Sequence, residues 1–269
     1  MKKYYQLFAA FLTVLTVLFI GFACVKDVKT ATVAPQPPVS PILTGSFVEE
    51  FDNAGDLTSK GWVFKNNSAP IGEAGWRQGR YESINIANKK LGAGVVAVGF
   101  PAYSAHNTPN DFISCDITAA SNATGSGNYS AWLISPSLPM KNGDKIIFYT
   151  MANNFAIDPT NGIYSSDRMQ VRLNITDGSA NVGSDTAVGK FTKLVYDSNP
   201  TYQNNIFGGH PTVWTKVTIT ISGIPGSGSI SNGRFSFRYY AQDAGMYGGN
   251  GGTNFPSVVG VDQLSYTHN

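Results

Sequence analysis

The chain is poor in charge and in cysteine. Aspartate, glutamate, lysine and arginine make up 13% of its 269 residues, about half the usual share. No acidic run marks a disordered tail, and no run of basic residues points to nucleic acid as a partner. Cys24 and Cys115 are the only cysteines, so a disulfide framework is excluded and the fold must hold by its core. His106, His210 and His268 lie far apart, and Glu49, Glu50, Glu73 and Glu82 are the only glutamates. No Gly-x-Ser-x-Gly, His-Glu-x-x-His or P-loop pattern occurs. None of the glutamates stands mid-strand among apolar residues, where burial would raise its pKa. The sequence therefore predicts no enzyme.

What the N-terminus does have is an export signal. Lys2 and Lys3 precede an apolar run from Leu7 to Phe22, the positive and apolar regions of a signal peptide over residues 1–23. The run ends in Gly21-Phe22-Ala23-Cys24, which resembles the lipobox of bacterial lipoproteins and implies lipidation of Cys24. Without Lys2 and Lys3, the 19 basic residues become 17, equal to the 17 acidic ones. Residues 24–45 hold Pro35, Pro37, Pro38 and Pro41. Proline fixes φ and removes donors, so this segment is expected to be a semi-rigid spacer that lifts a domain off a surface. Residues 46–269 then form one domain, long enough for a large single core.

Inside that domain the period is two. Met169, Val171, Leu173 and Ile175 alternate with Gln170, Arg172 and Asn174; Phe235, Phe237 and Tyr239 alternate with Arg234, Ser236 and Arg238. Each set predicts a strand with one dry face and one wet face. Val217 to Ile221, Lys145 to Met151, Val258 to Tyr266 and Phe112 to Ile117 are further strands, the last carrying Cys115 as a small buried hydrophobe. Lys141-Asn142-Gly143-Asp144 and Asn232-Gly233 read as turns. No window shows a helical pattern. The class is all-β, and two packed sheets are the usual solution for so many half-buried strands. Two long connections remain, 176–212 and 241–257.

Several short stretches in this order carry a resemblance: Phe51-Asp52-Asn53 with Gly61-Trp62, Ala131-Trp132-Leu133-Ile134-Ser135-Pro136, Asn142-Gly143-Asp144, Trp214, Gly233-Arg234-Phe235-Ser236-Phe237-Arg238-Tyr239, and Val259-Gly260-Val261-Asp262. Together they resemble the choice-of-anchor J domains, relatives of the cleaved-adhesin domains of gingipain-type haemagglutinins. The resemblance covers residues 47 to 267. It implies a jelly-roll β-sandwich of two antiparallel sheets, similar to carbohydrate-binding modules, held at the cell surface by one of several anchors.

The resemblance also implies a structural calcium ion, since jelly-roll modules bring a carboxylate near the first strand beside one on the last. The matching positions are Asp52, with Glu50, and Asp262. Calcium takes six to eight oxygen ligands, and Asp262 stands in an apolar strand where an unpaired carboxylate would be costly. Tyr247 and Phe255, on the Gly-rich 240–255 segment, and Trp76, in Trp76-Arg77-Gln78-Gly79-Arg80-Tyr81, are candidate ligand-binding aromatics. The expected function is adhesion, or binding of a glycan or protein at the surface, by a non-catalytic lipoprotein of the cell envelope or outer membrane. Its alternatives are a structural envelope component without a soluble ligand and a glycan-processing enzyme.

Overall fold

Alternating apolar and polar residues give a strand two unlike faces, and the fold is built by burying the apolar ones against each other. The computed structural model of the chain describes residues 43–86, 94–121, 126–153, 156–158, 163–245 and 254–269, with 83–86, 94–98, 156–158 and 163 described by backbone alone. All belong to one unit, Ser40–Asn269. In chain order the strands are β1 (Phe47–Glu49), β2 (Val63–Asn66), β3 (Arg77–Gln78), β4 (Tyr81–Ile86) and β5 (Gly94–Gly99). Next come β6 (Ile113–Asp116), β7 (Gly127–Ile134), β8 (Leu138–Lys141), β9 (Lys145–Ala152), β10 (Ala156–Asp158) and β11 (Ile163–Tyr164). The last five are β12 (Met169–Asn174), β13 (Lys193–Asp197), β14 (Thr215–Thr220), β15 (Ser229–Ala244) and β16 (Val258–Thr267).

Two antiparallel six-stranded sheets result. The first runs β14-β9-β16-β6-β3, with β1 beside the far half of β16; the second runs β13-β12-β15-β7-β2, with β8 beside the near half of β15. From β13 onward each successive strand changes sheet, so neighbours in space are distant in sequence. The chain is an all-β jelly-roll sandwich. The only helical turns among the described residues are short 3-10 turns at Ala54–Asp56, Ile117–Ala119 and Asn205–Phe207.

The inward residues are the ones the alternation marks. Met169, Val171, Leu173, Phe235, Phe237 and Tyr239 are all buried. Phe148 of β9 meets Phe237 of β15 across the interlayer at 4.9 Å between ring centres, edge to face, the arrangement that the ring quadrupoles favour. Cys115 is fully buried, and burial pushes its thiol pKa well up, so it is inert packing.

Three features depart from the sequence pattern. Asn232-Gly233 is not a turn between strands: β15 runs through it, and a register irregularity against β8 falls between Ile230 and Gly233. A Cβ on Gly233 would lie 2.6 Å from the Met140 sulfur, so the glycine makes room for a core side chain. The 176–212 connection contains β13, whose residues alternate too weakly in burial to stand out.

The third departure is that the expected wet face of β12 and β15 is covered. Gln170, Asn174, Arg234, Ser236 and Arg238 are all buried. Residues 176–191 fold back over them, and Val182 and Phe191 pack on Trp132 and Ile134, with Phe191 5.8 Å from Trp132 between ring centres. The arginines hold this cover by its carbonyls. Arg234 Nε donates to Gly178 O at 2.6 Å, Arg238 Nη2 to Thr186 O at 2.9 Å, and Arg172 Nη1 to Phe191 O at 3.3 Å.

A second polar node lies in the interior. Asp167 is fully buried and accepts hydrogen bonds from Tyr239 Oη at 2.7 Å, Ser257 N at 2.7 Å, Ser257 Oγ at 2.5 Å and Asn205 Nδ2 at 2.8 Å. Burial pushes its pKa up to about 6, against those hydrogen bonds, which pull it down.

Two outcomes test this packing. Phe191→Ala should lower stability by about 3 to 5 kcal/mol, as large-to-small core changes do, and limited proteolysis should then cut within residues 176–190 while the wild type resists. Asp167→Asn sets an amide against the Asn205 amide and should cost about 1.5 to 3 kcal/mol. Because the folded-state pKa of Asp167 is raised, its contribution is full below about pH 4 and is lost as pH rises through about 6. The melting-temperature deficit of Asp167→Asn should therefore be smaller at about pH 7.5 than at about pH 4.5, since only the wild type loses the Asp167 contribution over that interval.

Candidate functional site

The first and last of the described strands meet in the first sheet. β1 pairs with the later half of β16 and β6 with its earlier half. Between these partners β16 breaks register against β9, from Asp262 to Ser265, with Gln263 at φ 46°. Just after β1, Phe51 takes φ 57° between Glu50 and Asp52. Left-handed backbone at a bulky side chain costs roughly 1 to 2 kcal/mol, so packing holds both carboxylate-bearing segments in place. Phe51 itself is fully buried against Trp62.

Asp262 is fully buried, with Oδ2 accepting from Ser104 N at 3.0 Å and Oδ1 from Gln263 N at 2.7 Å. Burial raises its pKa to about 6, the backbone N–H groups oppose that, and the charge on Glu50 adds to the rise. Burial likewise raises the pKa of Glu50, and its Oε2 is buried without a hydrogen-bond partner. Two carboxylates in mutual repulsion, one with an orphaned oxygen, suit a hard cation. Asp52, by contrast, is exposed and engaged by His106, whose Nδ1 lies 2.8 and 3.0 Å from its two oxygens. No group of three or more His, Cys, Asp or Glu side chains among the described residues is arranged to hold a metal, so further oxygens would come from backbone or water.

Ser104 Oγ lies 3.4 Å from His106 Nε2, giving a hydroxyl, imidazole and carboxylate in line with Asp52. His106 and Asp52 are both exposed to solvent.

The candidate aromatics fall elsewhere. Trp76 is 5% exposed, its indole N–H donates to Ala131 O at 3.1 Å, and its ring packs on Phe237; the core takes it, because only there does so large a ring lose its water. Phe255 is 7% exposed, and its backbone pairs with Ser166 through Ser166 N to Phe255 O at 2.8 Å and Phe255 N to Ser166 Oγ at 2.7 Å. Neither ring offers a surface to a ligand. Tyr247 and Cys24 lie outside the described residues. Gly260 on β16 packs under an aromatic group of Phe100, Phe112 and Trp214; a Cβ there would come within 2.7 Å of Phe100 and 2.9 Å of Trp214.

An open groove of about 570 Å³ lies on the outer face of the second sheet, beside the covering segment. Arg168, Arg172 and Arg238 line it with Tyr202 and Tyr240. Arg238 is the floor: 1% exposed, its guanidinium lies 4.6 Å from the centre of the Trp132 ring and 3.9 Å from that of Tyr240, and Nε and Nη2 donate to Ser130 Oγ at 3.2 and 2.9 Å. Arg168 is closed onto Asp197, with Nε donating to Oδ1 at 2.9 Å and to Oδ2 at 3.2 Å and Nη2 to Oδ2 at 2.6 Å, and sits 4.9 Å from the centre of the Tyr202 ring. Gln170, Gln242, Thr186 and Asp243 complete the polar walls.

Sequence reasoning missed this groove. Its arginines are dispersed over β12 and β15 and the residue before β12, and Tyr202 comes from the 176–212 connection. A signal existed in the alternation of Arg172 with Arg234 and Arg238, but that was read as an ordinary wet face.

No family model matches the chain, and no curated protein matches it. Among solved structures it is similar to the K1 cleaved adhesin domain of Lys-gingipain from Porphyromonas gingivalis, with 16% identity and a TM-score of 0.44 over 83% of this chain and 98% of that one. The K2 cleaved adhesin domain of Lys-gingipain aligns at 16% identity and a TM-score of 0.44, again over 83% and 98% of the two chains. Carbohydrate-binding modules of the β-sandwich superfamily align at 9% identity and a TM-score of 0.34, over 81% of this chain and 62% of that one. Each is a likeness of chain trace at low identity, and what this chain can hold follows from its own groove and carboxylates.

Proposed function

We propose that the chain is an exported, lipid-anchored, non-catalytic binding protein of the cell envelope or outer membrane, of the choice-of-anchor J kind, whose jelly-roll domain holds a glycan at the cell surface. The observation that carries this is the groove on the second sheet. Its walls are amide, hydroxyl and guanidinium groups, the chemistry that recognises a hydroxyl-rich ligand, and Tyr202 and Tyr240 stand half-buried within it. Asp197, beside the groove, is taken up by Arg168, and the exposed Asp243 is the carboxylate among the lining residues. The anchor is Cys24, reached through the proline-containing spacer. Two or more acyl chains hold a protein stably at a membrane where one does not, each buried CH₂ contributing roughly 0.8 kcal/mol.

The domain also takes up calcium at Glu50 and Asp262 in this proposal. The ion would neutralise two buried carboxylates and bind the end of the first strand to the last, a structural role. Asp52 contributes only if it leaves His106.

Three outcomes are expected. Metabolic labelling with a fatty acid should mark the wild type and not Cys24→Ala; equal labelling of both would remove the anchor. On a glycan array the purified protein should give saturable binding, and silence across neutral and acidic glycans, with envelope proteins co-purifying, would favour a structural component instead. Calcium at about 100 times its Kd adds roughly 2.7 kcal/mol of stability, which for a domain of this size raises the melting temperature by about 5 to 10 °C. Chelator should reverse that rise, and Asp262→Asn should abolish it; no response of the wild type would overturn the calcium site.

A further inference from the structure

We propose that the groove on the second sheet selects acidic saccharides, gripping a carboxylate or sulfate group of the glycan with Arg172 over the fixed charge of Arg238. This rests on the glycan-binding role proposed above and adds the ligand's charge.

Of the six arginines, Arg172, Arg234 and Arg238 have no carboxylate partner among the described residues, and Arg234 is spent on the carbonyls of Gly178, Gly61 and Ser135. Arg77, Arg80 and Arg168 each pair with a carboxylate, Asp116, Glu82 and Asp197 respectively. No carboxylate among the described residues pairs with Arg172 or Arg238. Arg172 spends Nε on Gln170 Oε1 at 2.9 Å and Nη1 on Phe191 O, which leaves Nη2 without a hydrogen bond among the described residues. Arg238 spends Nε and Nη2 on Ser130 Oγ and Thr186 O, which leaves Nη1. Arg172 is half-buried at the groove whereas Arg238 is 1% exposed, so Arg172 offers its remaining N–H pair to a ligand and Arg238 contributes its charge from below.

Their charges reinforce one another. Gln170 of β12 lies opposite Arg238 of β15 and Arg172 opposite Ser236, so the two arginines are diagonal neighbours on one face of the sheet. Burial lowers the pKa of Arg172 against Asp197 and Tyr240, which raise it; burial also brings that of Arg238 down to about 10, with Arg172 and Arg168 adding to the fall. Arg168, Arg172 and Arg238 stand against Asp243 in the lining and Asp197 beside it, so the groove holds positive charge in excess. An anion entering it gains a field that low local polarity strengthens, and planar two-point donation that suits carboxylate and sulfate oxygens. The surrounding amides and hydroxyls suit the rest of a saccharide better than the side chains of an apolar peptide.

Titration calorimetry with the purified full-length protein separates the outcomes. Probes are an oligogalacturonate, a sulfated galacto-oligosaccharide, a neutral galacto-oligosaccharide of equal length, and a polyglutamate peptide. At least one acidic saccharide should bind 10-fold or more tightly than the neutral one, and added salt should weaken that binding while leaving any neutral binding unchanged. The uronate and sulfate probes show which anion is preferred. Arg172→Gln should lose 10-fold or more while the protein stays folded at the assay temperature, and Arg172→Lys, which keeps the charge and loses the fork, should lose less. Equal affinity for acidic and neutral saccharides would overturn the charge selection and leave glycan binding standing. Binding of no saccharide would overturn both, and tightest binding of polyglutamate would overturn the saccharide in favour of an acidic protein partner. Should Arg172→Gln unfold, the wild-type preference and its salt dependence still decide.

Discussion

The second sheet is organised around a guanidinium that cannot reach bulk water. Arg238 stands on β15, flanked by β7 and β12, and is 1% exposed. A buried cation without compensation costs several kcal/mol, so its surroundings must supply aromatic faces and acceptors. Trp132 and Tyr240 give the faces, Ser130 the hydroxyl, and the carbonyl of Thr186 the remaining acceptor. That last contact brings the 176–191 segment onto the sheet, where Phe191 and Val182 seal it against Trp132. The cover in turn forms one wall of the groove through Thr186 and Val188. Cover, groove and floor follow from one side chain that had to be satisfied.

This explains which parts of the fold were legible in the sequence. Strand existence was, because Met169, Val171, Leu173 and Phe235, Phe237, Tyr239 pack into a core that repeats every second residue, and the period survives any topology. The fate of the opposite face was not. Gln170, Arg172, Arg234 and Arg238 have the composition of a solvated surface, and only the return of a segment lying beyond β12 in the chain decides that they are buried. Periodicity reports that two faces differ; it is silent on what covers the polar one. The same gap misled at Trp76, where aromatic and cationic neighbours in sequence resemble an exposed platform, while the indole is directed at Ala131 O in the interior.

The carboxylates show the complementary case. Asp262 was recognisable because an acid in the apolar stretch Val258 to Tyr266 demands an account, and the structure gives it a bulge with two backbone donors. Its partner on the first strand is harder to choose from sequence, since Glu49, Glu50 and Asp52 are within four positions of one another. The fold separates them: Lys60 takes Glu49 at 2.9 Å, His106 takes Asp52, and Glu50 is left with a buried oxygen and no donor. Only tertiary contacts from a distant loop and turn could have made that distinction.

Net charge hides this arrangement entirely. Beyond Lys2 and Lys3 the chain balances 17 basic against 17 acidic residues. Yet the charges are sorted: two carboxylates repel each other beside the β16 bulge, and two guanidiniums do so in the groove of the second sheet. Within a Debye length of about 8 Å at physiological salt each cluster sets its own local field, while over longer distances the two cancel. A neutral protein can therefore offer one site to a cation and another to an anion, and neither is visible in a sum. The scarcity of charge sharpens the effect, because with so few ionic groups in the domain each unpaired one stands out against its surroundings and is expensive to leave without a partner.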